Sequence, residues 1–376
     1  MIAGHIVKVA VLFTAGVGLA SLCPIDPWSM SVVGQMGALL SFIPFLLSKR
    51  FPGMRHTRLQ DVFILISIFF IGVVYYGTAI LKEMSALSHD GPMIALTREC
   101  LGSLQGIIDD IGWGRRRTAG LLRALLSGDR GALDPAVAAA FRAAGASHIL
   151  ALSGLHLGII YGIVTKCLSI LGRSPVAFAI RSCITVLLCA FYTLMTGASP
   201  SLVRAFLFIL INETLRFFPD RSRHPLSVLS VALMIQLAAN PLVIKSLGFQ
   251  LSYLSMTGIF VIFPRLQAWL PSPASDEKIS FVSRQIDKLT QLIWTSAAIS
   301  ISCQIMTAPL VWLRFHTFPQ YFLLTNLLAL PLTSLLMPAS ILSLILSAVG
   351  CCPHILVSIT ELLASALIRT LEIIAS

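Results

Sequence analysis

Residues 149–171 read ILALSGLHLGIIYGIVTKCLSIL. These 23 residues hold one lysine and no arginine or carboxylate. As a helix they would extend about 35 Å, enough to cross the hydrocarbon of a bilayer. The whole chain has the same character. Of 376 residues, 56% are hydrophobic and 11% charged, and the mean hydropathy is +0.88, too little polar surface for a soluble domain of this length. Comparable apolar blocks lie near Ile6–Leu22, Ser31–Ser48, Val62–Leu81, Val176–Met195, Leu202–Phe218, Pro225–Ala239, Leu247–Phe263, Leu292–Leu313 and Ile355–Ile374, with a broken or kinked segment at Tyr321–Val349. The expected fold is all-α: a polytopic transmembrane helical bundle of about eleven spans, some broken, with short amphipathic helices between them.

The first block ends in GLASLC, but Leu22 stands where a lipoprotein box needs a small residue, and further spans follow at once. It therefore reads as a retained first helix. The eight cysteines are scattered and contain no CxxC pair, so they read as free thiols acting as small apolar side chains.

Orientation follows from the short loops. Residues 23–30 carry no Lys or Arg, whereas Lys49, Arg50, Arg55 and Arg58 follow the second span. Arg216, Arg221 and Arg223 mark a second basic loop, and Arg265, Lys278, Arg284 and Lys288 a third. Alternating spans put all three on one side, which the positive-inside rule makes cytoplasmic, with the amino terminus. Residues 1–81 then form three N-terminal spans, 82–147 an extracytoplasmic amphipathic helical segment, and 148–376 a second transmembrane domain. Within 82–147, Asp134 and Pro135 mark a helix start. Amphipathic helices of this total length cannot bury a large core by themselves, so they are expected to lie on the membrane face or pack on the outer mouth of the bundle.

Basic residues exceed acidic ones by eleven. Lys166, Arg181, Arg204, Lys245, Arg314 and Arg369 fall in or beside spans, against Glu213, Glu361 and Glu372. Polar groups at membrane depth usually face a partner or a cavity, and this surplus would make a cavity attractive to anions.

Treated as one helix, the fourth span puts His148, Ser153 and His156 on one side. Gly154, Gly158 and Gly162 form a small-residue row on the other, a surface for close helix packing. His148 and His156 would stand about 12 Å apart along the axis, too far to share a metal ion. Ser153 and His156 are within reach of each other, as in a serine–histidine pair. A second group is TGASPSLVRAFLFILINE (196–213), where Ser199–Pro200 opens a helix and places Arg204 early in it. The helix dipole disfavours a cation there, so Arg204 either pairs with another helix or faces an anion. Glu213 has its better mate in Arg216, three residues on. Lys245 and Gln250 stand in a third group, and Gln304, Arg314 and Asn326 in a proline-interrupted fourth.

Four blocks now stand in order: SGDRGALDPAVAAAFRAAGASHILALSGLHLGII, GASPSLVRAFLFI, LGFQLSYLSMTGI and APLVWLRFH with TNLLALP. In sequence, order and spacing they resemble the ComEC competence-protein membrane domain over about residues 95–350. The resemblance implies an inner-membrane channel that passes single-stranded DNA into the cytoplasm, with His148, Ser153, His156, Arg204, Gly248, Gln250 and Asn326 as motif positions and 148–376 as its channel domain. Full-length members also carry an oligonucleotide-binding-type β domain and often a metallo-β-lactamase-like domain. Only helical sequence follows the third span here, and no HxHxDH-type cluster occurs. The expectation is a minimal, non-enzymatic member without cofactor or metal. Separate DNA-binding or nuclease proteins would supply the other functions, and several copies could associate. No Walker sequence occurs, so a cytoplasmic helicase or translocase would pull the strand. Two other readings stay open: an intramembrane serine-type hydrolase built on Ser153 and His156, and a small-anion transporter.

Overall fold

A computed structural model describes residues 2–50, 58–85, 92–172, 174–218, 224–270, 281–316 and 320–375. The basic loop positions Arg55, Arg221, Arg223 and Lys278 lie outside the described residues. Among the described residues the regular structure is helical: α1 (Ile2–Leu22), α2 (Pro27–Arg50), α3 (Arg58–Ser85), α4 (Pro92–Asp110), α5 (Arg116–Ser127), α6 (Pro135–Ala143), α7 (Ser147–Leu150), α8 (Gly154–Cys167), α9 (Pro175–Met195), α10 (Pro200–Arg216), α11 (Pro225–Ala239), α12 (Leu247–Val261), α13 (Phe263–Gln267), α14 (Phe281–Phe315), α15 (Phe322–Ala348) and α16 (His354–Ala375).

Seven of these are long and apolar enough to cross a membrane: α1, α2, α3, α8 with the 3-10 turn that extends it, α9, α14 and α15. The chain is a multi-pass membrane protein. The remaining expected crossings are helices of another kind. α10, α11 and α12 have 17, 15 and 15 residues, and α16 carries Glu361, Arg369 and Glu372 among its 22. α15 runs unbroken through Pro331 and Pro338, and α14 through Pro309. A proline removes one helix hydrogen bond, and a surrounding bundle tolerates that loss.

The chain divides into two compact units, with boundaries inside α10 and α12. The first comprises residues 1–90 and 207–253. Here α1 and α3 touch backbone to backbone: a Cβ at Gly16 would fall on the Phe69 carbonyl, and one at Gly72 on that of Phe13. A Cβ at Gly77 would stand 3.0 Å from the Pro27 carbonyl oxygen, at the start of α2. Glycines at these crossings exchange side-chain bulk for close contact, the usual device where lipid gives helices no hydrophobic reason to associate.

The second unit comprises residues 91–206 and 254–376. Its core centres on α5, whose Leu121, Leu122 and Leu125 are fully buried with Leu336 and Met337 of α15 and Leu367 and Leu371 of α16. α5 is anchored at its start, where Arg115 donates to Ser365 Oγ at 2.7 Å and Arg117 pairs with Asp134 at 2.8 Å and with Glu372 at 3.4 Å. Asp134 also caps α6, accepting from the Ala136 N–H at 2.9 Å. The amphipathic helices thus pack into the bundle rather than along a membrane face, because α15 and α16 supply the apolar surface that they lack among themselves. Helices before and after residue 147 share this core. All eight cysteines are free.

Candidate functional site

The helix expected over 149–171 is interrupted. The backbone leaves α7 at Leu150, is extended at Ala151 and Ser153, and turns helical again at Gly154. Ser153 becomes the N-cap of α8. Its Oγ accepts from the Leu155 N–H at 3.3 Å, and the His156 Nδ1 accepts from the Ser153 N–H at 3.2 Å. This is a capping box in which histidine takes the place of the usual Glu or Gln. Because Nδ1 is an acceptor, neutral His156 carries its proton on Nε2. His156 is fully buried, and its Nε2 has no hydrogen-bond partner.

The break overturns the single-helix reading. His148 sits on the short α7, exposed, with Nδ1 3.2 Å from the Gly145 carbonyl oxygen, and does not share a helix with Ser153 and His156. The packing row is corrected too. A Cβ at Gly158 or Gly162 would meet no atom within 4 Å, so among the described residues these positions pack against no other helix. Gly154 is close-packed, but against a cation: a Cβ there would stand 3.2 Å from Arg204 Nη2 and 3.4 Å from Ala205 Cβ.

Arg204 reaches this place because of the turn before it. α9 ends in Thr196, and Gly197 and Ala198 both take positive φ, +81° and +48°. That reverses the chain tightly and starts α10 at Pro200. Ser201 Oγ then donates to the Leu152 carbonyl at 2.9 Å. The starts of α8 and α10 therefore meet, with Arg204, 7% exposed, between them. Free N–H groups at helix starts and a guanidinium all favour negative charge. The arrangement can hold an anionic group, and phosphate suits the guanidinium fork best.

The other sequence-selected residues lie elsewhere. In the second unit, Asn326 Nδ2 donates to Ser300 Oγ at 3.3 Å, while Asn326 Oδ1 and Gln304 Nε2 are buried without partners. Arg314 is exposed in the last turn of α14. In the first unit, Gln250 Nε2 donates to the Ile244 carbonyl at 2.7 Å, exposed Lys245 lies 5.6 Å from the Tyr76 ring centre, and Gly248 is exposed. Glu213 pairs with Arg216 at 2.8 Å. Ser201 escaped the sequence reading, although its place beside Pro200 signalled a helix start. Tyr192, which donates to the Leu126 carbonyl at 2.9 Å, escaped it with no local signal.

Ser153 Oγ lies 3.1 Å from His156 Nδ1, the distance of a nucleophile from its base. Both atoms, however, are engaged in capping α8, and among the described residues no third group orients the ring through Nε2. A catalytic serine needs both a free base and that orientation. The capping box accounts for the pair without chemistry.

Comparison with known proteins places the chain among relatives. The chain is 26% identical over 232 residues to ComE operon protein 3 of Bacillus subtilis (strain 168), covering 61% of this chain and 26% of that protein. The chain thus spans about a quarter of the length of that relative. No solved structure matches it. The family described as Competence protein matches residues 125–376, from the last turns of α5 through α16, and this chain belongs to the competence-protein family.

Proposed function

We propose that the chain is a channel that conducts single-stranded DNA across the cytoplasmic membrane during DNA uptake, without enzymatic activity of its own. The observation that carries this reading is Arg204, buried where the starts of α8 and α10 meet. It belongs to a chain whose family is described as Competence protein. A guanidinium held there engages phosphate, which every nucleotide presents alike, so it positions a strand without reading its bases. The amino terminus lies in the cytoplasm. A cytoplasmic helicase or translocase supplies the force, and separate proteins bind the incoming duplex or degrade the other strand.

The test is transformation of a competent host. Deleting the gene should abolish uptake, and the wild-type chain should restore it. Arg204→Ala should lower uptake of every sequence equally at normal membrane abundance. Arg204→Lys should retain part of it, because a point charge attracts phosphate without the bidentate fork. Undiminished uptake in the deletion strain would overturn the proposal. Parallel loss of abundance and uptake in Arg204→Ala would make Arg204 a structural residue instead.

A further inference from the structure

α9 gathers its polar residues on one face. At 100° per residue, Arg181, Thr185, Cys189, Tyr192, Thr193 and Thr196 fall within an arc of about 120°. Thr185, Cys189 and Thr193 in that arc are buried. Ile180, Leu187, Phe191 and Leu194 occupy the opposite side and are exposed. The polar face turns inward and the apolar face outward, as in a helix that separates lipid from an interior path.

Two donors on the inward face are unused. Threonines in this protein generally turn their hydroxyl back onto their own helix: Thr193 donates to the Cys189 carbonyl at 2.7 Å and Thr196 to that of Tyr192 at 2.8 Å. Thr185 does not. Its Oγ1 is buried without a partner, and so is the Nε of Arg181, one turn earlier. The Arg181 guanidinium lies 6.0 Å from the Phe178 ring centre, and none of the described carboxylates pairs with it. A third unused donor, His156 Nε2, belongs to α8, which packs on α9 as a hairpin. Counting back through the 3-10 turn and α8 puts His156 about 9 Å, nearly two helical turns, beyond the height of Thr185. Buried donors without acceptors are destabilising unless something else accepts from them. All three are donors, so the missing group is an acceptor, and the cation makes it an anion.

We propose that this face of α9 is an aqueous wall of the conduit, at which Arg181 and Thr185 donate hydrogen bonds to phosphate oxygens of the passing strand. The occupant rests on the DNA-channel reading above; the aqueous wall does not. The test uses the full chain in membranes, with Cys183 and Cys189 replaced by alanine, and the anionic reagent 2-sulfonatoethyl methanethiosulfonate, with adducts located by mass spectrometry. Thr185→Cys should be modified and Leu187→Cys should not. Thr185→Val, which keeps shape and removes the hydroxyl, should keep its abundance and lose about tenfold in uptake, the worth of one hydrogen bond to a charged group. Thr185→Ser should retain uptake. An unmodified Thr185→Cys overturns the aqueous wall, and normal uptake by Thr185→Val overturns the phosphate contact. Modification of Thr185→Cys in a chain whose deletion leaves uptake unchanged supports the wall and removes DNA as its occupant.

Discussion

The Ser201 hydroxyl reaches the Leu152 carbonyl at 2.9 Å, across 49 positions of sequence. Everything between them is the α8–α9 hairpin and the turn into α10, so this bond fastens the hairpin at its open end. It also sets the distance from Gly154 to Arg204, two and three residues beyond the fastened atoms.

Ser201→Ala should therefore loosen the hairpin. The Leu152 carbonyl, on a residue 7% exposed, would lose its donor at a cost of about 1–3 kcal/mol. A lower melting temperature of the detergent-solubilised protein is the expected result, with Ser201→Thr close to wild type. An unchanged melting temperature for the alanine variant would show that the bond holds nothing.

The glycines of α8 should behave oppositely to one another. Gly154→Ala places a methyl group 3.2 Å from Arg204 Nη2, so the guanidinium must move and uptake should fall. Gly158→Ala meets open space and removes a flexible residue from a helix, which should raise stability by about 0.5–1 kcal/mol with uptake unchanged. Melting and transformation measured together check both. Equal effects at the two positions would contradict the placement of Arg204.

Ser153 and His156 should respond as a cap, not as a catalytic pair. Ser153→Ala should cost about 1 kcal/mol of stability and leave uptake per folded molecule nearly intact. His156→Gln should keep the box, since glutamine is a normal partner in it, whereas His156→Leu should lose it. Uptake abolished by Ser153→Ala at full abundance would restore the hydrolase reading.

These positions also show which features were legible before the structure. Blocks of apolar sequence announced the helices, and Asp134–Pro135 announced the start of α6, because both signals are local. The break at Ala151–Ser153 was missed because the stretch remains apolar across it; the cue was Ser153 with His156 three positions on, a capping box disguised by an unusual third partner. The small-residue row at 154, 158 and 162 had the right spacing, but among the described residues only Gly154 meets a facing helix, while other glycines that carry close helix contacts, Gly16 and Gly72 among them, lie on separate helices and show no row. Spacing reveals which side of a helix is small. It does not reveal whether anything comes to fill that side. The inward face of α9 was hidden for a related reason, since polar residues spread from Arg181 to Thr196 along an apolar helix look sparse until burial collects them on one arc.

Gly72→Ala should be among the most damaging single substitutions in the first unit. The added methyl group would fall on the Phe13 carbonyl and stand 3.0 Å from the Val17 nitrogen, so α1 and α3 must separate. Loss of membrane abundance is the expected readout. Gly4→Ala, with nothing within 4 Å, is the control that should leave it unchanged.

The burial of α5 has a consequence for how the protein is made. α5 ends at Ser127 and α15 begins at Phe322, so the leucines at the centre of the second unit leave the ribosome about 195 residues before α15 begins to. At ~5–20 residues per second, that is a wait of roughly 10–40 s. During that interval Leu121, Leu122 and Leu125 must be covered by lipid or by the insertion machinery, and Arg115 and Arg117 have neither Ser365 nor Glu372 to hold. Assembly of this unit therefore waits on its late helices: α16, far along the chain from α5, completes the core that α5 has been holding open.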